Sequence, residues 1–352
     1  MANADLNKAK KQKADEFYTQ LSDIGRELKH YKGHFLGKTV FCNCDDPYES
    51  NFFKYFATGF NFLGLKKLIA TCYIGSPVAN RELSLFEYET PENKTTRVPH
   101  KIIVNEAVDE NCDGGFDLRD IVISLAKNRN NTLSRLNGDG DFRSAECVEL
   151  LKESDIVVTN PPFSLFREYV AQLVENDMKF LIIGDLNALS YKDVFMLIRD
   201  NKIWLGIDNG GTKWFQVPYH YEIKTQSRIK IENGVKYFSK GSIVWFTNLD
   251  HVKRHENMIL SKSYSTENYP AFDNYNAINV DKVADIPFDY NGAMGVPITF
   301  IDKYNPEQFE IIGLDRYVED NPNYGHRFKF KNKETYARVL IKNKQVNIGG
   351  KI

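Results

Sequence analysis

The chain reads as an α/β protein built on a doubly wound, mainly parallel sheet, with a C-terminal region interleaved with the last strands. Three observations carry that reading. Apolar, β-branched runs of the kind buried on both faces of a parallel sheet recur, among them Ile156-Val157-Val158-Thr159 and Phe180-Leu181-Ile182-Ile183. Helical patterns separate these runs, so strands and helices alternate as crossover connections require. The first run stops at Asn160-Pro161-Pro162-Phe163-Ser164. Prolines cannot donate to a ladder, so Asn160 is left at a strand's C-terminal edge, where open α/β sheets bind ligands.

Taken in order, the chain opens on a short basic lead-in, residues 8–13, too polar for a secretory signal. Phe17-Tyr18-Thr19 then precedes a helical stripe through Leu21, Ile24, Leu28 and Tyr31. Residues 38–44 read as the first strand, turned by Asp45-Asp46-Pro47. Ser50 is a fitting N-cap for a helix over 51–62, whose stripe is Phe52, Phe53, Phe56 and Phe60. Gly64 ends that helix, and a strand over 67–73 completes a βαβ unit.

Strand-like pieces at 84–88 and 101–105 predict an inserted hairpin or an antiparallel extension of the sheet. Asp117 caps a helix through Leu118, Ile121, Val122 and Leu125. In Leu136-Asn137-Gly138-Asp139-Gly140-Asp141-Phe142 the two glycines permit an unusual backbone path at a strand end. A calcium loop is a poor rival there, because the other ligands of such a loop are missing. A helix over 145–152 leads to the Asn160 strand, and a helix through Leu165, Tyr169 and Leu173 follows it. A strand over 179–184, a helix over 191–199 and strands over 203–207 and 241–249 continue the alternation.

Bulk properties narrow the function classes. The chain has 352 residues, 42% of them hydrophobic, enough for one large domain or two small ones. A formal charge of −1 advertises no global affinity for nucleic acid. Locally, Arg327, Lys329, Lys331, Lys333, Arg338, Lys342 and Lys344 face only Glu334 beyond Asn321, either as a solvated surface or as a phosphate-contacting one. Five scattered cysteines without a CxxC pair suggest reduced, mostly buried thiols of a cytoplasmic protein, with no metal site and no disulfide framework. No apolar run is long enough for a membrane span.

Asn160-Pro161-Pro162-Phe163 resembles the Asn/Asp/Ser-Pro-Pro-Phe/Tyr motif of amino-group methyltransferases. The resemblance implies the S-adenosyl-L-methionine-dependent, Rossmann-like methyltransferase fold. An aromatic amine is a poor nucleophile because its lone pair is delocalised into the ring. Acceptors on the Asn160 side chain and the Pro161 carbonyl would favour a pyramidal nitrogen aimed at the methyl donor. Pro162 stiffens the loop, and Phe163, followed by Ser164, offers a face to a flat base. The acid-aromatic pair Asp141-Phe142 resembles the motif that holds the cofactor's adenine, and Phe17-Tyr18-Thr19 resembles the segment that closes over the cofactor.

The glycine-rich first turn usual in such enzymes is absent. Asn43, Asp45, Asp46 and Ser50 stand there as cofactor contacts, or Asp45 and Asp46 form only a polar turn. Phe246 or Trp245 supplies a second wall of the base pocket or packs the core. Further matches at Cys42-Asn43-Cys44-Asp45-Asp46-Pro47, at Trp245 to His251 and at Met294 to Phe300 narrow the resemblance to the EcoRI-type adenine-specific DNA methyltransferases, from Phe17 to about Gly313.

That family implies N6 methylation of an adenine flipped out of a specific double-stranded DNA site. Residues 1–207 would be the catalytic domain, and 208–352 the remaining strands with the DNA-recognition region and basic tail. The expected protein is a monomer or weak dimer, nucleoid-associated, with a separately acting restriction endonuclease as a possible companion. Cytosine N4 methylation and a non-catalytic DNA-binding protein on the same fold are the alternatives.

Overall fold

The computed structural model describes residues 18–44, 50–72, 99–114, 116–127, 130–217, 226–318 and 324–346. Phe17, Asp45, Asp46 and the strand expected at 84–88 lie outside them. The chain forms two compact units, Met1–Asp185 with Asp208–Leu249, and Leu186–Ile207 with Asp250–Ile352. Residues from Asp208 to Leu249 thus share a unit with the main sheet.

In the first unit the strands, in chain order, are β1 (Tyr18–Thr19), β2 (Thr39–Cys42), β3 (Lys67–Thr71), β4 (His100–Val104), β5 (Thr132–Arg135), β6 (Ile156–Thr159) and β7 (Lys179–Asp185). They continue as β8 (Lys213–Gln216), β9 (Ile229–Glu232), β10 (Val235–Lys240) and β11 (Ile243–Thr247). Within this unit the main sheet runs β5-β4-β3-β2-β6-β7-β11. Its centre is parallel, with β3, β2, β6 and β7 side by side. Its flanks are antiparallel: β4 to β3, β5 to β4, and β11 to β7.

The sheet is therefore mixed, which corrects the mainly parallel expectation. Burial explains the difference. Strands β2 and β6 are buried at every position, as strands covered on both faces must be. Burial alternates along β4, the pattern of a half-covered antiparallel strand. Of the two forms expected around residues 101–105, the antiparallel extension is the one found.

Helix α1 (Leu21–Leu28) buries Ile24 and Leu28, and Tyr31 and Phe35 continue its apolar side into the same core. Helix α2 (Asn51–Thr58) is capped by Ser50, whose Oγ accepts from the backbone N–H of Phe52 and Phe53 at 3.1 and 3.3 Å. The helix expected over 51–62 is interrupted at Gly59 and resumes as Phe60–Leu63. Gly64 then closes it in a left-handed conformation, φ 63°. Further along lie α3 (Leu118–Lys127), α4 (Ala145–Lys152) and α5 (Phe166–Glu175). A smaller antiparallel sheet, β1-β8-β10-β9, pairs Thr19 with Phe215 and Tyr18 with Gln216.

The second unit contains α6 (Lys192–Arg199) and a sheet in which Met294–Pro297 and Phe309–Leu314 flank Arg338–Asn343, both antiparallel to it. A bulge falls between Ile311 and Gly313. Phe272, Ala277, Val318, Phe328 and Leu340 form a core cluster there. Lys329–Phe330 and Lys333–Glu334 make a hairpin whose turn residues, Lys331 and Asn332, both have positive φ.

Candidate active site

The site is built at the C-terminal edge of the parallel strands. Strand β6 ends at Thr159, Asn160 is half-buried and Pro161 buried, and Pro162 and Phe163 are half-buried with Ser164 exposed. Pro162 (φ −57°, ψ 120°) starts a one-turn 3-10 helix, Phe163–Leu165, closed by the Leu165 N–H donating to the Pro162 carbonyl at 3.0 Å. The chain passes directly into α5. Strand, rigid turn and helix thus follow without a slack residue, and the proline φ values limit the turn's freedom.

Beneath Asn160 the three strand ends are stitched together at Asn43. The Thr159 hydroxyl donates to the Asn43 carbonyl. The Thr71 hydroxyl, at the end of β3, donates to Asn43 Oδ1 at 3.0 Å. The same Oδ1 accepts from the Cys44 N–H at 2.9 Å, and Cys44 takes φ 64°. The turn lacks glycine, yet it still adopts the left-handed backbone that glycine usually supplies. Asn43 is 1% exposed and Ser50 likewise, so in this structure both serve the scaffold, one as a stitch and one as a helix cap.

The acid-aromatic loop is fastened to α5. Arg143 donates to Asp141 through Nε at 2.8 Å and Nη2 at 2.7 Å, and through Nη1 to Glu168 on α5 at 2.9 Å. Burial pushes the Asp141 carboxyl up, but the hydrogen bonds and charge of Arg143 outweigh it and hold the carboxyl below its ordinary value. Phe142 packs edge-on against Tyr169 with ring centroids 4.9 Å apart, and its carbonyl accepts from Gln172 Nε2 at 3.1 Å. It is 3% exposed, covered by α5.

Of the two places open to Phe246, pocket wall and core, the structure shows the core. It is fully buried on β11, its ring 4.9 Å from that of Phe166, so it fills the core. Trp245 is also fully buried, edge-on to Phe52 at 6.0 Å. Thr19 is brought to the same unit by the β1–β8 pairing, and its carbonyl accepts from Asn51 Nδ2 at 2.7 Å, beside the Ser50 cap. Its own hydroxyl oxygen is buried and makes no hydrogen bond among the described residues.

Two residues at the tetrad carry no sequence signature of their own. Lys240, the last residue of β10, places Nζ 4.3 Å from the centroid of the Phe163 ring. The same Nζ lies 3.1 Å from Oδ2 of Asp185, the last residue of β7. Asp185 directly follows the strand expected over 179–184.

The profile of the family described as "Adenine-specific methyltransferase EcoRI" matches residues 5–347. The chain belongs to this family. The match runs on past Gly313, where the motifs quoted from the sequence stop. Among curated relatives, the methyltransferase is 50% identical to "Type II methyltransferase M.EcoRI" of Escherichia coli over 345 residues, 97% of each chain. It is 36% identical to "Type II methyltransferase M.MgeORF184P" of Mycoplasma genitalium over 97% of this chain and 99% of that one. It is 34% identical to "Type II methyltransferase M.MpnI" of Mycoplasma pneumoniae over 97% and 98%. No solved structure matches the chain. The methyltransferase is an adenine-specific enzyme acting on DNA, and nothing favours the cytosine or non-catalytic alternatives. Among the described residues no helix is long and apolar enough to cross a membrane.

Proposed function

We propose that this enzyme methylates the N6 amino group of an adenine extruded from a specific site in double-stranded DNA, with Asn160 and Pro161 orienting the amine. One observation carries the reading: Asn160 stands at the C-terminal edge of β6, its predecessor Thr159 anchored to Asn43 and its successors stiffened by Pro161 and Pro162. An acceptor held this firmly needs little reorganisation as charge develops on the nitrogen, which is where preorganised dipoles lower a barrier. The Asn160 side-chain oxygen and the Pro161 carbonyl accept the two amine hydrogens, and Phe163 supplies the platform for the base. Transfer leaves a positive charge on the nitrogen, and its extra proton is lost to water, because neutral amide oxygens orient the amine but do not keep a proton.

S-adenosyl-L-methionine, when bound, supplies an electrophilic methyl on a sulfonium. The residues present fit such a group. The Thr19 hydroxyl is a buried oxygen with no partner among the described residues, at the segment expected to close over the cofactor. Asp141 is kept ionised beside α4 and retains lone pairs for a further donor despite Arg143. Phe17, Tyr18, Asp45 and Asp46 complete the proposed cofactor contacts, with Asn43 and Ser50 shaping the turn. Residues 208–352 supply DNA recognition, in part through the exposed lysines of the 329–334 hairpin. The names of the relatives support a place in a restriction-modification pair, with the endonuclease acting separately.

The test is Asn160→Ala, assayed by tritiated methyl transfer to unmodified DNA with nucleoside mass spectrometry of the product. Cofactor affinity by calorimetry should stay near the parental value while transfer is largely lost. An Asn160→Ala enzyme that makes N6-methyladenine at the parental rate would sink the assignment.

A further inference from the structure

Phe163 is half-buried and packs against the main core cluster. The Lys240 ammonium stands 4.3 Å from the centroid of its ring. Paired aromatic rings sit with centroids about 4.5–7 Å apart. The ammonium therefore occupies the space that a flat base on that face of Phe163 would fill. It is tethered there, because the same Nζ lies 3.1 Å from the Asp185 carboxylate. The two residues reach the tetrad from different sheets. Asp185 ends β7, the neighbour of β6, whereas Lys240 ends β10 of the smaller sheet.

We propose that Lys240 is a placeholder in the target-base pocket. In the DNA-free enzyme it covers the face of Phe163 that the extruded adenine takes, held by Asp185, and it yields that face when the base enters. This rests on the reading of Phe163 as the base platform. The energetics suit an exchange. The Lys240 and Asp185 side chains are 26% and 21% exposed, so solvent screens their attraction, and a cation over a part-exposed ring is also held weakly. Stacking of a base on an aromatic platform is at least as strong as either contact. A deeply buried pair would instead lock the pocket shut.

The experiment compares two duplexes containing the site found by sequencing modified bases in the DNA of a host expressing the enzyme. One duplex carries the target adenine in a mispair, so that extrusion costs little, and the other carries an abasic position in its place. Both present the same phosphates, so whatever the lysine adds to phosphate binding cancels in the ratio of their dissociation constants. Only the base-containing duplex requires the ammonium to move. The preference for the base over the abasic site should rise about three- to thirtyfold in Lys240→Met, the combined worth of an exposed ion pair and a cation–π contact. Asp185→Asn should raise it by less, since the tether alone is removed. An unchanged or smaller preference in Lys240→Met overturns the placeholder. Phe163→Ala is the separate control. If it leaves the parental preference intact, Phe163 is not the platform and the pocket reading fails instead.

Discussion

Thr159→Val removes one hydroxyl and keeps the shape of the side chain. Its donation to the Asn43 carbonyl is the bond that ties β6 to the turn after β2. Thr159 is fully buried and Asn43 is 1% exposed, so no water replaces the lost donor. Stranding a buried acceptor costs about 1–3 kcal/mol. In a unit of this size that lowers the melting temperature by about 2–4 °C per kcal/mol. Urea unfolding followed by circular dichroism should show a lower midpoint at unchanged slope. Asn160 is the next residue, so its acceptor loses its anchor, and methyl transfer should fall about ten- to a hundredfold, the scale of a small misplacement.

Thr71→Val supplies the contrast. It removes one of two donors to Asn43 Oδ1, and the Cys44 N–H at 2.9 Å remains. Its cost should lie at the low end of that range, with transfer close to parental. If Thr159→Val matches the parent within about 0.5 kcal/mol and keeps full transfer, the stitch does not position Asn160.

Gly184→Ala should destabilise by about 1–3 kcal/mol, because the added Cβ would lie 2.5 Å from the Phe166 ring and 2.8 Å from the Phe246 ring; a thermal melt at the parental temperature would refute it. Arg143→Gln should flatten the acid side of the stability curve. The lowered Asp141 carboxyl contributes stability that is full above its unfolded value of about 3.9 and lost as pH falls through the depressed folded value. Parental and Arg143→Gln curves that fall in parallel would remove Asp141 from acid unfolding. Neutralising Lys329, Lys331 and Lys333 together, all exposed on the hairpin, should reduce the slope of log K against log salt by up to about 2.7, roughly 0.9 per phosphate contact. An unchanged slope makes the hairpin a bystander.

The part of this site contiguous in the chain was legible in the sequence because local rules govern it. An apolar run of four residues buried throughout, a pair of prolines and a following amphipathic helix locate Asn160 at a strand edge by strand and turn chemistry alone. The Ser50 cap and the Gly64 stop were legible for the same reason. What was not legible depends on neighbours across the sheet. Phe246 could have faced a pocket, and it is core because Gly184 on the paired strand leaves room for its ring beside Phe166. Phe142 could have met a ligand, and Tyr169 covers it. The antiparallel flanks show only as alternate burial along β4, a pattern short runs blur.

The first turn makes the point most sharply. Its missing glycines argue against a close backbone approach if only the turn's own residues are weighed. Yet Cys44 takes the left-handed conformation because Asn43 folds its side chain back to accept the Cys44 N–H, and Thr71 and Thr159 then lock Asn43 from two other strands. A conformation that one glycine would allow at no steric cost is here imposed by three hydrogen bonds. That makes the geometry of the turn dependent on the strand that carries Asn160. The first turn and the tetrad loop are thereby coupled through one buried residue, whose side chain shapes the turn and whose backbone carbonyl holds Thr159. On the proposed roles Asn43→Ala, which leaves that carbonyl in place, should impair cofactor affinity first, whereas Asn160→Ala should impair methyl transfer alone.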